Sequence, residues 1–318
     1  MIQSVIEPAG PHAARVARLF WVSVAIAAAV YVATIGALLW ATWRARKRAE
    51  RGEVRDPDAR QQRRMAVAVS AGVATTVVIL LFFFAYDLAV GRSLRMPKNR
   101  PHLLVKLTGY QWWWKVEYPD TIPWRWITDA NEIHVPVGLP VLVELTSNDV
   151  IHSLWVPNLA GKKDLIPRYK DTVWFQADRP GVYRGQCAEF CGHQHAKMAL
   201  NVIAHAPADF ERWREQSRQL ARTPADTLQF RGQQVFLTGP CILCHAIAGT
   251  PAGSRAGPDL THLASRLTLA AGTLPNTKGN LAAWILDPQR VKPGANMPPN
   301  ALSPADLEAL IAYLHSLK

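Results

Sequence analysis

One short stretch of the sequence holds four side chains that bind soft metal ions. Cys187 and Cys191 lie four residues apart, His195 follows after four more residues, and Met198 after another three. Thiolate and thioether sulfur are soft ligands and imidazole is intermediate, a set that suits copper better than a hard cation. Two thiolates at this spacing can bridge two adjacent ions, each with room for one imidazole and one weak ligand. Such a site needs a second histidine, and His152 is the candidate.

Other interpretations of this cluster start from the same residues. A structural zinc site could use two cysteines and two histidines, but it would leave Met198 unused. A redox-active dithiol would need only Cys187 and Cys191. A copper-delivery protein with a Cys-x-x-x-Cys loop is a closer rival, but such proteins alternate strands with helices and place their histidine downstream of the cysteines. Here the surrounding sequence is β-patterned and His152 lies upstream.

The other two cysteines belong to a second motif. Cys241, Cys244 and His245 form the Cys-x-x-Cys-His pattern of covalent haem c attachment, in which the sulfurs take the vinyl groups and the histidine binds the iron. Electron-transfer haem needs a sixth ligand, commonly methionine. Met297 is the only methionine after Met198 and is the predicted ligand. A redox Cys-x-x-Cys pair and half of a zinc site are the alternatives.

Two uncharged stretches near the N-terminus predict a transmembrane hairpin. Residues 19–43 and 65–86 carry no charge, and each is long enough to span about 30 Å of hydrocarbon at about 1.5 Å per residue. The loop at 44–64 holds nine Lys and Arg against four acids, so it is expected in the cytoplasm. We therefore predict helices at about 19–43 and 65–88, retained rather than cleaved as a signal peptide, in a lead-plus-hairpin domain ending at residue 90.

The remaining sequence predicts two exported domains. Residues 91–206 contain short runs rich in β-branched and aromatic residues, bounded by Gly, Pro, Asn or Asp, which indicate an all-β Greek-key sandwich or barrel. Residues 207–225 indicate a linker or a charged helix, and residues 226–318 an all-α domain. The net charge of +12 is spread over these regions, so we do not expect a nucleic-acid partner.

The metal motif and two neighbouring motifs resemble subunit II of cytochrome c oxidase. The matching motifs are Gly109-Tyr-Gln-Trp-Trp-Trp, Asp149-Val-Ile-His and the segment 180–198, and the resemblance covers residues 19–205. It implies a cupredoxin-like fold and a binuclear copper centre, CuA. The ligands that it implies are His152, Cys187, Cys191, His195, Met198 and the backbone carbonyl of Glu189.

The same resemblance implies further roles in this region. The Glu189 side chain would bind a magnesium ion at the boundary with subunit I. Trp112 would be the residue through which electrons enter, with Trp114 as its packing neighbour, and His193 would be a surface residue. The family commonly has a glutamate at a proton-pathway entrance near the second helix. This sequence has Gln61-Gln-Arg-Arg there, so no proton-uptake residue is assigned.

The C-terminal section resembles a class I cytochrome c domain, which supports Met297 as the axial ligand. The dipeptide Gly257-Pro258 matches the loop whose proline carbonyl accepts the N–H of the proximal imidazole. Gly232 and Phe236 match the first helix of that family, which crosses the last helix near Tyr313. We therefore expect haem c at Cys241 and Cys244.

Taken together, these resemblances imply subunit II of a proton-pumping haem–copper oxidase with a fused cytochrome c domain. Electrons would come from a cytochrome c-type donor or a quinol–cytochrome c reductase, pass through haem c and CuA, and reach the oxygen site in subunit I. The implied location is a bacterial inner membrane, with both redox domains outside and other oxidase subunits as partners. A copper-delivery protein or another CuA electron carrier remains the alternative.

Overall fold

The chain forms two compact units in the computed structural model, which describes residues 3–52, 58–96 and 100–318. One unit contains residues 14–96 of the described part. The other contains the N-terminal residues up to Ala13 together with everything from residue 100 onward. The domain limits that the sequence suggests at residues 90, 206 and 225 stay predictions.

Two long helices dominate the first unit. Helix α1 spans Pro11–Glu50 and α2 spans Ala59–Ser93. Both extend past the predicted uncharged stretches, because the flanking Ala, Arg, Lys and Gln residues are strong helix formers. The Arg15 guanidinium donates to the Ser93 carbonyl, so the start of α1 meets the end of α2. By length and composition, both helices are apolar enough to cross a membrane.

Two five-stranded β-sheets form the core of the second unit. In chain order the strands are β1 (Leu103–Tyr110), β2 (Trp113–Tyr118), β3 (Ile127–Ala130), β4 (Glu132–Pro136), β5 (Val141–Ser147), β6 (His152–Trp155), β7 (Lys163–Leu165), β8 (Asp171–Phe175), β9 (Gly181–Cys187) and β10 (Ala199–His205). One sheet has the order β3-β2-β1-β5-β8 and the other β4-β10-β9-β6-β7. The β1–β5 and β4–β10 pairs are parallel and the others antiparallel.

Alternation along the strands explains why the sheets pack face to face. Buried and half-buried residues alternate through β5 and β9, so each strand presents one apolar face to the other sheet. The shared core contains aliphatic side chains such as Leu107, Val143 and Leu200, with Trp114 and Phe175. This arrangement confirms the predicted all-β, cupredoxin-like sandwich.

A short N-terminal segment packs on this sandwich, which the sequence did not predict. The Ala9 N–H donates to the Asn158 carbonyl at 2.8 Å, and the Ala9 carbonyl accepts from the Asp178 N–H at 2.8 Å. The Asn158 side chain bonds the Ser4 N–H and the Glu7 carbonyl. These hydrogen bonds use backbone groups of the segment. Such contacts leave no repeating apolar pattern in the sequence from which they could be predicted.

Helices and irregular loops make up the C-terminal part, as predicted. The helices are α3 (Pro207–Gln216), α4 (Thr227–Thr238), α5 (Lys278–Leu286), α6 (Pro288–Val291) and α7 (Pro304–Leu314). One two-residue strand pair, Thr268–Leu269 with Leu274–Pro275, lies between α4 and α5.

Helices α4 and α7 cross where the class I resemblance places their contact. A Cβ on Gly232 would lie 1.9 Å from the Ala309 carbonyl oxygen, so only glycine allows this close approach. The rings of Phe236 and Tyr313 lie beside it, 6.5 Å apart. The Ser303 hydroxyl caps α7 by accepting from the Asp306 N–H. The predicted helix crossing is confirmed.

Candidate metal centre and haem-attachment site

Strand pairing brings the soft-ligand residues to one end of the sandwich. His152 begins β6 and Cys187 ends β9, and these strands are antiparallel neighbours. Strand β10 begins directly after Met198, whose carbonyl accepts the Cys187 N–H at 2.9 Å. The loop between β9 and β10 carries Cys191 and His195 back over the same end. Thus a histidine 35 residues upstream in sequence meets the cysteine loop in space.

The ligand atoms of these residues converge. The sulfur atoms of Cys187 and Cys191 are 3.7 Å apart. His152 Nδ1 lies 3.9 Å from the first sulfur, and His195 Nδ1 lies 3.6 Å from the second. Met198 Sδ lies 3.8 Å from Cys191 Sγ and is fully buried. One imidazole therefore belongs to each thiol, and the thioether lies on the Cys191 side.

Asp149 and Gly109 set the orientation of His152. Its Nε2 lies 2.8 Å from an Asp149 carboxylate oxygen, so this nitrogen donates and Nδ1 is left free towards the sulfur. A Cβ on Gly109 would lie 2.7 Å from the ring, so glycine provides the space that the imidazole fills. The sequence does not predict Asp149 as a site residue, although it begins the motif Asp149-Val-Ile-His. The Asp-x-x-His spacing was the signal for its role.

The Cys187 and Cys191 thiols lie close enough to shift each other's pKa in opposite directions. The hydrogen bond from Cys191 and the contact with His152 lower the pKa of Cys187 well below that of a free thiol, against the opposing effect of burial. The same contact with Cys187, together with burial, raises the pKa of Cys191. A second thiolate here therefore needs a positive charge beside it, which a metal ion supplies.

Glu189 presents its backbone and its side chain to different surroundings. Its carbonyl oxygen lies 3.1 Å from Cys187 Sγ, facing the ligand cluster. Its carboxylate lies 3.3 Å from the Lys162 ammonium at the surface. The backbone group therefore faces the metal ligands, and the side chain is available to a group outside the sandwich.

The donor set fits a soft metal. Thiolate sulfur binds a zinc-sized ion at about 2.3 Å, so one ion can touch both sulfurs only if they are less than about 4.6 Å apart. The measured separation of 3.7 Å meets this condition. The buried thioether of Met198 adds a ligand that a zinc site would not use and that copper accepts. Among the described residues, His152, Cys187 and Cys191 are also the group whose ligand atoms lie close enough to hold an ion.

The aromatic residues near the site occupy distinct positions. The Trp112 indole N–H donates to the Cys191 carbonyl at 2.9 Å, and its ring is half-buried. Trp114 is fully buried, with its ring 5.9 Å from that of His152. His193 is exposed on the loop. Trp112 is thus the aromatic side chain that joins the surface to the cysteine loop.

The haem-attachment motif lies on a short helical turn after α4. Cys241 is half-buried within the turn Pro240–Leu243, and Cys244 follows it. His245 Nδ1 lies 2.7 Å from the Pro258 carbonyl oxygen, the contact that the resemblance implies, so Nε2 is free to bind iron. Burial lowers the pKa of His245 and favours the neutral imidazole that a metal needs. A Cβ on Gly257 would lie 2.8 Å from this ring, so the cradle requires glycine.

Met297 lies in the segment between α6 and α7. It is half-buried and packs against the apolar core of the C-terminal part. The Gln289 amide donates to the carbonyls of Ala295 and Met297, at 2.7 and 3.0 Å. Cys241, Cys244 and the oriented His245 imidazole fit a covalently bound haem, and Met297 as the sixth ligand stays a prediction.

Known protein families match both the sandwich and the C-terminal part of the chain. The family model of the cytochrome c oxidase subunit II periplasmic domain matches residues 122–205, and that of cytochrome c matches residues 230–318. The sequence is 43% identical over 215 residues to cytochrome c oxidase subunit 2 of Alkalihalophilus pseudofirmus, covering 67% of this chain and 61% of the relative. It is 33% identical over 234 residues to that of a Bacillus species, covering 70% and 64%. The chain thus spans less than two thirds of either relative.

A solved structure matches the sandwich region. The periplasmic domain of subunit II of cytochrome oxidase from Bradyrhizobium japonicum is 30% identical, with a TM-score of 0.35, covering 39% of this chain and 96% of that domain. The two family models match the chain in the order in which the two ligand clusters lie along the sequence. The chain belongs to the cytochrome c oxidase subunit II family and carries a cytochrome c domain at its C-terminus.

Proposed function

We propose that this chain is the electron-transfer subunit of a proton-pumping haem–copper terminal oxidase. The C-terminal domain takes electrons from a cytochrome c-type donor or a quinol–cytochrome c reductase. The sandwich passes them to subunit I, which holds the haem and copper that reduce oxygen. The observation that carries this proposal is the convergence of two thiols, two imidazoles and a thioether in a spacing of 3.6–3.9 Å at one end of a rigid sandwich.

The sandwich residues would hold a CuA centre. Its proposed ligands are His152, Cys187, Cys191, His195, Met198 and the Glu189 carbonyl. When bound there, copper would supply one-electron redox chemistry at this end of the sandwich. The strand ladder holds Cys187 and Met198 by a backbone hydrogen bond, and Asp149 holds the His152 ring. Ligands that are fixed before and after transfer keep the reorganisation of the site small.

The C-terminal residues would hold haem c. Cys241 and Cys244 would form the thioether bonds, and His245 and Met297 would bind the iron. The Pro258 carbonyl fixes the tautomer of His245, since its oxygen accepts from Nδ1. The arrangement supplies one strong nitrogen ligand and one soft sulfur ligand, the pair that electron-transfer haems commonly use.

Glu189 would connect the sandwich to subunit I. Its carbonyl faces the cysteine sulfur while its carboxylate is solvent-accessible beside Lys162. A carboxylate oxygen is a hard ligand that suits magnesium, and a site shared with subunit I would use the exposed side chain.

The two apolar helices would anchor the chain in a bacterial inner membrane. The basic residues between them favour a cytoplasmic loop, and this orientation puts both redox domains on the outer side. Other oxidase subunits are further expected partners within the bilayer.

We further propose that the external donor docks on the C-terminal domain and not on the sandwich. A Cβ on Gly294 of the C-terminal domain would be 3.7 Å from the Trp112 ring, so this domain covers one side of the indole. Tethering also replaces diffusional encounter by a high effective concentration. Deleting residues 226–318 is expected to abolish turnover with the native donor. Unchanged turnover would contradict the docking hypothesis.

Spectroscopy of the purified chain tests the two cofactor assignments together. We expect a multi-line copper EPR signal from an electron shared by two ions, and the sharp reduced bands of haem c. A mononuclear type 2 copper signal without haem would instead support the copper-delivery alternative. Copper-to-protein and haem-to-protein ratios in the same sample separate a failed assignment from incomplete loading.

A further inference from the structure

The segment Val291–Gly294 of the C-terminal domain lies on the face of the sandwich that carries the cysteine loop. The Pro293 carbonyl accepts from the Gln194 side-chain amide at 2.6 Å. The Val291 carbonyl accepts from the Lys197 ammonium at 2.6 Å. Both donors belong to the loop that also holds the proposed copper ligands. These two hydrogen bonds join the segment Val291–Gly294 to the loop between β9 and β10.

Lys292 makes the most buried of these contacts. Its ammonium donates to the Trp112 carbonyl of the sandwich at 2.6 Å and to the Ala270 carbonyl of its own C-terminal domain at 3.2 Å. The residue is 2% exposed, and no carboxylate of the described residues pairs with it. A lysine that only covered the surface would keep its charge in water, since burying an unpaired ammonium is costly. The two carbonyls are therefore a specific receptor for this side chain.

Gly294 brings the same segment against the indole of Trp112. Its φ of +82° lies in the left-handed region, where glycine is favoured, and a Cβ there would be 3.7 Å from the ring. The Trp112 N–H donates in turn to the Cys191 carbonyl, as does the Gln111 amide. A short series of contacts thus leads from the segment through the indole to a proposed copper ligand.

A separate set of contacts joins the two domains away from Trp112. The Arg266 guanidinium pairs with Asp129 at 2.8 Å, and both side chains are largely buried. The Leu267 N–H donates to Glu132 at 2.7 Å, and the Ala199 N–H donates to the Ala271 carbonyl at 3.0 Å. Docking of the domains as a whole does not depend on Lys292 alone. Its specific contribution is the local position of the segment beside the indole.

We propose that Lys292 is a positioning residue that locks the segment Val291–Gly294 over Trp112. The locked segment makes the indole the fixed contact between the C-terminal domain and Cys191. This inference rests on the proposed electron-transfer function and adds a residue to it. The lysine does not touch a reacting atom, and it acts through the backbone of Trp112.

The test compares Lys292→Met with Lys278→Met in the complete oxidase. Methionine keeps much of the length of the side chain and removes the three donors. Lys278 is an exposed lysine at the start of α5 in the same domain, so its variant controls for loss of charge. For Lys292→Met we expect exchange of the backbone amides of residues 292, 294 and 295 to be roughly tenfold faster or more, with exchange in α4 and α7 unchanged. The control should match the unmodified protein.

A second readout follows electron transfer directly. After flash reduction of the haem, the rise of the reduced-copper signal should slow by about tenfold in Lys292→Met, because small displacements of a positioned group have large effects on rate. The KM for the donor, the haem spectrum and the copper EPR signal should stay unchanged. A role in stability alone would not slow this step while leaving both spectra intact.

Three results would overturn the proposal. The first is that both the exchange rate and the transfer rate of Lys292→Met lie within about twofold of the control, a difference of about 0.4 kcal/mol. The second is loss of the haem spectrum, which would assign Lys292 to the fold of the haem domain. The third is faster exchange without slower transfer. Absence of haem or binuclear copper in the unmodified protein would instead refute the proposed function.

Discussion

The two proposed cofactor sites are held in different ways by the chain. The sulfur cluster lies at the end of a β-sheet, where Cys187 is paired through backbone hydrogen bonds to the strand that follows Met198 and through the ladder to the strand of His152. The haem ligands lie in a short turn after α4 and in the segment between α6 and α7. One site is thus built from neighbouring strands, and the other from segments about fifty residues apart between helices.

This difference indicates which part of each site depends on its cofactor. Strand pairing fixes His152 and Cys187, two of the proposed copper ligands, whether or not metal is bound. The Cys241 turn and the Met297 segment lie outside the sheets, so a covalently bound haem would contribute to the order of the C-terminal domain. Local stability varies across a protein in this way, with irregular segments at its low end.

Replacing the cysteines of one site at a time should show most strongly which domain depends on its cofactor for local order. We expect Cys241→Ala with Cys244→Ala to abolish covalent haem and to raise proteolysis within 226–318 by about 100-fold, while the copper EPR signal persists. The reciprocal pair, Cys187→Ser with Cys191→Ser, should abolish the copper signal and leave the haem bands. Limited proteolysis with mass mapping and EPR on the same samples are the measurements. If proteolysis of the sandwich in Cys187→Ser with Cys191→Ser rose as much as proteolysis of residues 226–318 in the other pair, the proposed difference between the two sites would be wrong.

A single substitution tests how much Asp149 contributes to copper affinity at the proposed copper site. Asp149→Asn removes the carboxylate that holds His152 Nε2, so we expect copper affinity to fall about 10- to 100-fold, as is usual for partners of metal-binding histidines. Competition with a copper chelator measures the change. Asp164→Asn is the matched control, because Asp164 is an exposed carboxylate on β7 that pairs with Lys162. An unchanged affinity in Asp149→Asn would show that the strands alone orient the ring.

Much of the fold followed from local sequence signals. Short runs of β-branched residues predict strands within residues 91–206, and Glu132–Pro136 forms one of them as β4. Ser303 at the N-cap and Pro304 at the first position of α7 are local signals of the same kind. The cysteine spacing predicted which residues converge, because the loop carries them within twelve positions of one another.

Residues whose role depends on distant partners could not be predicted in the same way. Lys292 looks like an ordinary surface lysine in sequence, and its two carbonyl partners lie in a different domain and a different loop. Backbone contacts decide the docking of Ala9 on the sandwich, and backbone groups carry no residue-specific signal. Pairing between distant segments is a property of the fold, so it becomes visible only when the fold is known.

The smallest predicted effect concerns the pH stability of the sandwich at its α3 side. His205 Nε2 lies 2.8 Å from His134 Nδ1, and the ring of Trp213 stacks on His134 with centroids 4.2 Å apart. Burial and the neighbouring His134 lower the pKa of His205 to about 4. The folded state therefore holds His205 neutral, whereas the unfolded chain protonates it near pH 6.5. Stability should fall as the pH drops from about 6.5 to 4, because the unfolded state binds the extra proton.

Comparing His205→Gln with the unmodified chain isolates this contribution, because glutamine keeps a polar group and does not titrate. Between pH 7 and pH 5 the free energy of unfolding of the unmodified chain should fall by about 1–2 kcal/mol because of His205. The variant should not show this part of the loss. Thermal unfolding of the full chain in detergent, followed at both pH values, measures the difference. His102→Gln, at an exposed histidine just before β1, should behave like the unmodified chain. Equal loss of stability at acid pH in His205→Gln and in the unmodified chain would assign the titrating group to another residue.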